Sequence, residues 1–162
     1  MKIVYFGIGT NLGNREENLK QAVTRIEESI GPVLKSSSIY ETAPWGFESN
    51  DNFLNMVVQV ETKLIPSGLL GRLLMIESLL GRVRGEKHYS SRLIDIDILL
   101  YDDLIVEEES LNIPHALLHE RKFVLVPLCE IASEVIHPVL KKSMAELLET
   151  CGDRSEVRKF LR

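Results

Sequence analysis

The stretch Arg92-Leu93-Ile94-Asp95-Ile96-Asp97-Ile98-Leu99-Leu100 alternates apolar and acidic residues with a period of two. That period predicts a β-strand over about 93–101, with Asp102-Asp103 turning the chain. In such a strand Ile94, Ile96, Ile98 and Leu100 point to one face as a core stripe, and Asp95 and Asp97 point to the other. Side chains two apart on one face start roughly 6.5–7 Å from each other, at about 3.3 Å rise per residue. Two carboxylates at that spacing repel, and a cation between or beside them relieves the repulsion. Mg²⁺ suits the arrangement, because it takes one or two carboxylates and fills its shell with water and phosphate oxygens. The plainer alternative is a solvated face on an amphipathic strand.

The segment before the strand favours phosphate. Arg82, Arg84, Lys87 and Arg92 crowd into 82–92 against a single acid, Glu86, in a chain whose net charge is −5. Arginine offers phosphate a planar, bidentate and permanently charged donor set. No G-x-x-x-x-G-K-[ST] loop occurs, so side chains would have to hold the phosphates.

Working outward gives the fold. Upstream of the basic segment, Pro66 opens a helix carrying Leu69, Leu70, Leu73, Leu74 and Leu80, and Gly81 closes it. Before that helix, 53–62 alternates as a strand, with Leu54, Met56, Val58 and Val60 on one face. Residues 43–52 read as a loop, and 33–42 as another strand. A helix starts at Asn14, with Leu19, Ala22, Val23, Ile26 and Ile30 on one face and Gly31-Pro32 stopping it. Residues 3–9 form a first strand ending in Gly9-Thr10-Asn11-Leu12-Gly13. Downstream come a short strand-like piece, Pro114-His115, an apolar run over Phe123–Leu128, and a helix from Ser143, where Ser143 and Glu146 make a capping box. The order β-α-β-β-α-β predicts an α+β, ferredoxin-like domain over 1–162: an antiparallel sheet with helices on one face and C-terminal additions.

Composition narrows the class. Apolar residues at 44% and charged residues at 27% suit a globular chain and exclude disorder. Net acidity argues against nucleic acid or an anionic membrane as partner, and no apolar run is long enough to span a bilayer. The start, Met1 to Gly7, lacks a secretory apolar core and reads as a strand. Cys129 and Cys151 have no metal-ligand spacing and read as free thiols, so the expected compartment is the cytoplasm. A monomer is the expectation.

Six markers in order resemble the 6-hydroxymethyl-7,8-dihydropterin pyrophosphokinase family. They are Tyr40-Glu41-Thr42-Ala43-Pro44, Phe53-Leu54-Asn55, Glu77-x4-Arg82-x-Arg84, Arg92-x2-Asp95-Ile96-Asp97, Ile113-Pro114-His115, and His119-Glu120-Arg121-x-Phe123, and the resemblance runs from Gly9-Thr10-Asn11-Leu12-Gly13 to about Ile131-Ala132. The resemblance implies transfer of diphosphate from ATP to a pterin alcohol, giving AMP. It implies that Asp95 and Asp97 hold two Mg²⁺ ions and that Arg82 and Arg92 stabilise charge developing during transfer. Glu77, Arg84, Ile98, His115 and Arg121 would serve the nucleotide. Thr42, Pro44, Trp45, Phe53, Asn55, Tyr89 and Phe123 would serve the pterin. Asn55 suits a heterocycle edge, being both donor and acceptor, and Phe123 offers a ring for stacking. A dihydropteroate synthase is the implied functional neighbour.

Each residue also has a plainer reading: Phe53 and Phe123 as core aromatics, Tyr89 as a loop residue, Trp45 as a loop anchor, His115 as a cap on the turn after Pro114. Ser90-Ser91, His88, Ser110, Asn112 and Ala116 depart from the family pattern. Two other functions compete, a phosphotransferase acting on another small alcohol and a regulatory or RNA-binding ferredoxin-like module. The acidic residues on the best strand speak against the RNA reading.

Overall fold

The computed structural model describes residues 1–43, 52–81 and 93–160. Eight strands occur among them: β1 (Lys2–Thr10), β2 (Val33–Ser36), β3 (Tyr40–Thr42), β4 (Phe53–Thr62), β5 (Asp95–Tyr101), β6 (Val106–Glu107), β7 (Asn112–Ile113) and β8 (Arg158–Lys159). The helices are α1 (Arg15–Ser29), α2 (Pro66–Leu79), α3 (Lys122–Ala132) and α4 (Met144–Glu149), with a 3₁₀ turn at Leu118–Glu120. The main sheet runs β5-β1-β4-β3-β8, with β2 also on β4, and every pairing is antiparallel. This is the ferredoxin-like α+β arrangement, with β5 at one edge.

The helices start where local chemistry tells them to. Asn14 caps α1 by accepting the Glu17 N–H at 3.2 Å, a contact typically worth about 1 kcal/mol. Pro66 stands at the start of α2, where its missing N–H costs nothing. Ser143 and Glu146 form the expected capping box of α4.

Two layers of helix enclose the sheet. On one face Leu54, Met56, Val58 and Val60 of β4 pack with Leu19, Ala22 and Ile26 of α1 and Leu69, Leu73 and Ile76 of α2. The C-terminal additions take the other face. There Leu125 and Leu128 of α3, with Met144 and Leu147 of α4, bury Tyr5, Val57, Leu99 and Leu100. The apolar run at 123–128 is therefore the body of a helix, Pro127 included.

Strict alternation fails in two places. Leu100 belongs to the α3 face rather than the stripe of Ile94, Ile96 and Ile98. The cause is an irregularity in the β1–β5 ladder, where Tyr5 faces Leu100 but Phe6 faces Ile98. The surplus residue, Leu99, reverses the facing of the residues after it. The strand expected over 33–42 is broken at 37–39. There the Ser37 hydroxyl, not a backbone carbonyl, accepts the Val57 N–H at 2.9 Å.

Candidate active site

The centre of the site is made of what β1 lacks. Gly9 stands between Asp95 of β5 and Asn55 of β4, and Gly7 between Asp97 and Val57. Without side chains there, the Leu99 side chain comes down over Gly7 and the Asn55 amide over Gly9. A Cβ on Gly9 would lie 2.8 Å from Asn55 Oδ1, so the Asn55 amide leans over that glycine. The sequence alone gave neither glycine a role at the site, although glycines two apart in an apolar strand are a mark of close approach.

Over this glycine floor opens a slot lined by Gly7, Gly9, Thr42, Phe53, Asn55 and Phe123, reaching Asp95, Asp97 and Arg121 at one end. Asn55 and Thr42 are both buried, and Asn55 donates from Nδ2 to the Thr42 hydroxyl at 3.1 Å. With Nδ2 on the Thr42 hydroxyl, Asn55 Oδ1 is the acceptor above Gly9. Phe123 begins α3, and the buried Arg121 holds its guanidinium carbon 5.6 Å from the Phe123 ring centre.

A second, wider groove runs along the open edge of β5. Leu70, Leu73 and Glu77 of α2 form one bank, and Ser110, Asn112, His115 and Ala116 the other. Ile96 and Ile98 lie between them, and Asp95, Asp97 and Arg121 close the groove. An edge strand leaves backbone groups without ladder partners. Here the buried Glu77 accepts the Ile96 N–H at 2.7 Å, and the His115 N–H meets the Leu99 carbonyl at 3.0 Å. Glu77 thus grips the backbone between the two aspartates.

His115 Nδ1 accepts the Leu117 N–H at 3.1 Å. The proton of the neutral ring is therefore on Nε2, which lies 3.8 Å from Asp97 Oδ2. The ring caps its turn with one nitrogen and presents the other as a donor at the Asp97 end of the groove.

Among the described residues, slot and groove therefore share Asp95, Asp97 and Arg121. Two carboxylates and a guanidinium mark the boundary between the polar–aromatic slot and the edge groove. Among the described residues no group of three or more His, Cys, Asp or Glu could hold a metal. A cation at this boundary would thus complete its shell with water and phosphate oxygens, and the oxygen-only pair fits Mg²⁺.

Of the expected pterin residues, Thr42, Phe53, Asn55 and Phe123 converge on the slot; of the nucleotide residues, Glu77, Ile98, His115 and Arg121 converge on the groove. Pro44, Trp45, Arg82, Arg84, Tyr89 and Arg92 lie outside the described residues. The ends of both segments that carry them are held at the site. Arg15 donates to the Glu41 carboxylate at 3.0 Å and to the Asn52 carbonyl at 2.9 Å, tying the two sides of 44–51. The Leu93 carbonyl accepts from the Thr10 hydroxyl and from Asn18 Nδ2, and the Leu93 side chain lies against Gly13 and Gly81. So Gly81 and Leu93, the described residues on either side of 82–92, lie together. Thr10 and Gly13, in the stretch where the resemblance begins, do this anchoring.

A model of the family described as 7,8-dihydro-6-hydroxymethylpterin-pyrophosphokinase matches residues 5–133. A 2-amino-4-hydroxy-6-hydroxymethyldihydropteridine pyrophosphokinase of Aquifex aeolicus is 40% identical over 146 residues, covering 90% of each chain. The Bacillus subtilis protein of the same name is 45% identical over 134 residues, covering 82% of this chain and 80% of that one. Among solved structures, Plasmodium falciparum HPPK-DHPS aligns with a TM-score of 0.73 at 21% identity. It covers 92% of this chain, which in turn spans only 43% of that longer protein.

Proposed function

The chain belongs to the 7,8-dihydro-6-hydroxymethylpterin-pyrophosphokinase family, and from that premise we infer how its two cavities divide the reaction. The reaction is the pyrophosphokinase step of folate biosynthesis: diphosphate passes from ATP to 6-hydroxymethyl-7,8-dihydropterin, leaving AMP and the pterin diphosphate. In our reading the slot takes the pterin, the groove takes the nucleotide, and transfer occurs across their shared boundary. The single observation behind this is that Asp95, Asp97 and Arg121 line both cavities. A transfer enzyme must bring acceptor and donor to one charged seam, and a module that merely binds one ligand need not.

Each residue then has a task. Thr42 orients the Asn55 amide, which offers donor and acceptor to the heterocycle edge, while Phe53 and Phe123 cover the ring. Ile98 and Leu70 give the nucleoside an apolar bed. His115 Nε2–H and the Arg121 guanidinium donate to the phosphates. Asp95 and Asp97 would hold Mg²⁺, two ions in our reading, which when bound neutralises phosphate charge and lowers the pKa of a coordinated hydroxyl. Arg82 and Arg92 would meet charge developing on the transferred group, with Arg84 gripping the nucleotide and Pro44, Trp45 and Tyr89 closing on the pterin. Little covalent chemistry is asked of the protein, so positioning and electrostatics dominate.

The same reading treats residues 1–162 as one domain acting as a monomer in the cytoplasm. None of the described helices is long and apolar enough to cross a membrane. Relatives named HPPK-DHPS are longer single chains, which supports a dihydropteroate synthase as functional neighbour. Incubation with Mg²⁺, ATP and the pterin alcohol should yield AMP and no ADP in step with pterin consumption. Formation of ADP would mark a simple kinase, and no pterin-dependent turnover would refute the assignment.

A further inference from the structure

A second polar cluster joins α3 to β3 and to the strand break before it. Glu130 stands on α3, seven residues after Phe123 and so about two turns along the same side of the helix. Its carboxylate accepts the Tyr40 hydroxyl at 2.6 Å, the Ser38 N–H at 3.0 Å to each oxygen, and the Ser38 hydroxyl at 3.0 Å. The donors are available because of the strand break. Ser37 satisfies Val57 in both directions, through its hydroxyl at 2.9 Å and its N–H at 2.8 Å. The next N–H, that of Ser38, turns to α3 instead of to the sheet.

The cluster's protonation states are set by its surroundings. Burial, then the hydrogen bond to Glu130 and its charge, push the Tyr40 phenol up to about 12. Burial also acts to raise the Glu130 carboxyl, but the bonds from Tyr40 and Ser38, with the charge of Lys159, outweigh it and hold the group below its ordinary value. Phenol as donor and carboxylate as acceptor therefore coexist at neutral pH.

Position gives the cluster its meaning. Tyr40 faces Asn55 directly across the β3–β4 ladder. Thr42 follows two residues later on the same face and accepts from Asn55. Glu130, at the other end of the clip, rides on the helix whose first turn carries Phe123. Neither Tyr40 nor Glu130 is among the described residues that line the slot. We infer that Tyr40 and Glu130 are positioning residues for the pterin: their phenol–carboxylate clip sets the spacing between the Thr42–Asn55 pair and the Phe123 ring. The inference rests on the slot being the pterin site, as proposed above.

The test is steady-state kinetics with pterin and ATP varied separately, alongside thermal unfolding, for Tyr40→Phe, Glu130→Gln and Glu130→Ala. Tyr40→Phe removes one of the bonds to the Glu130 carboxylate and should raise the pterin KM roughly tenfold, the low end for a single hydrogen bond to a charged group. Glu130→Ala should raise it about tenfold or more, the scale of bonds to a charged group. Glu130→Gln keeps a carbonyl acceptor and should recover part of that loss. The ATP KM should stay within about two-fold in all three, since the groove is untouched. A lowered unfolding temperature with an unchanged pterin KM would overturn the inference, leaving a plain fastener. Equal rises in both KM values would also overturn it. If Glu130→Ala does not fold, Tyr40→Phe decides alone. Wild-type protein that forms no AMP would sink the slot assignment and the clip's purpose together, whereas normal AMP formation with unmoved KM values sinks only the clip.

Discussion

The slot and the groove meet at Asp95, Asp97 and Arg121 yet are built in opposite ways. On the slot side, polar groups are fixed by other interior groups: Asn55 by Thr42, the floor by Gly7 and Gly9, the Phe123 ring by Arg121. On the groove side Glu77 holds the Ile96 N–H from one bank and the His115 N–H holds the Leu99 carbonyl from the other. Beside His115, Ser110, Asn112 and Ala116 form an exposed rim. The difference teaches where substitution is cheap. Those three rim positions are among the departures from the family pattern, with His88 and Ser90-Ser91 outside the described residues, whereas Thr42, Asn55, Asp95 and Asp97 keep it. A nucleotide can be held by its phosphates while its outer contacts change. A flat heterocycle recognised edge-on and face-on needs walls whose spacing does not change.

The largest effect should come at the shared boundary, where the contrast disappears. Asp97→Asn keeps the shape of the side chain and removes half of the charge that would hold Mg²⁺. A fall in kcat of about 10³-fold or more is expected, from the several kcal/mol that a metal contributes to charge stabilisation. The unfolding midpoint should not move. Near wild-type turnover at saturating Mg²⁺ would remove the boundary's role.

Next in size is a substitution that only the slot should feel. Gly9→Ala places a Cβ where Asn55 Oδ1 now sits, and the amide must swing off its bearing. Because a site built to hydrogen-bond its ligand loses heavily when those groups are mispaired, the pterin KM should rise by about tenfold to a hundredfold. The ATP KM should hold. If both constants move together, slot and groove are not separate devices.

Smaller still is the reverse experiment on the groove rim. Ala116→Tyr adds a ring there and should lower the ATP KM by roughly three- to ten-fold, the worth of one aromatic contact. The pterin KM is the control and should not change.

The sheet's plan was legible because its strands keep simple periods. The two-residue rhythm of β4 and the Ile-Asp-Ile-Asp of β5 set their faces, and the order of elements gave the ferredoxin-like arrangement. The bulge at Leu99 was not legible, since an extra residue in a ladder is invisible to a reading that assumes alternation. Nor was the break at 37–39, which depends on one hydroxyl reaching across to Val57. β8 escaped because two residues have no period. At the site, Asp95 and Asp97 announced themselves by charge on an apolar strand. Gly7 and Gly9 signalled by absence, a weaker mark but one present in the sequence. Glu130 sits in the sequence as an ordinary helical acid, and only the folded chain puts it beside Tyr40 and Ser38.

The smallest effect belongs outside both cavities. His137 is buried, and its Nδ1 accepts the N–H groups of Val139 and Leu140 at 3.2 and 3.1 Å. Burial, then the nearby His119, lower its pKa. A histidine whose folded pKa is depressed takes up a proton more readily when unfolded, so stability is lost as pH falls below about 6.5. Above that value the group contributes no slope. His137→Asn retains an acceptor for the turn, and denaturant midpoints between pH 7.5 and 5.5 should fall less steeply than in wild type, with both KM values unchanged at pH 7.5. An identical slope would show that other groups set the acid sensitivity.

Anomalous diffraction from crystals grown with Mn²⁺, a non-hydrolysable ATP analogue and the pterin bears most directly on the seam between the cavities. Metal peaks should stand about 2.0–2.3 Å from carboxylate oxygens of Asp95 and Asp97, with the analogue's phosphates reaching from the groove toward the pterin in the slot. Metal bound elsewhere with both carboxylates untouched, or a nucleotide lying in the slot, would contradict the account.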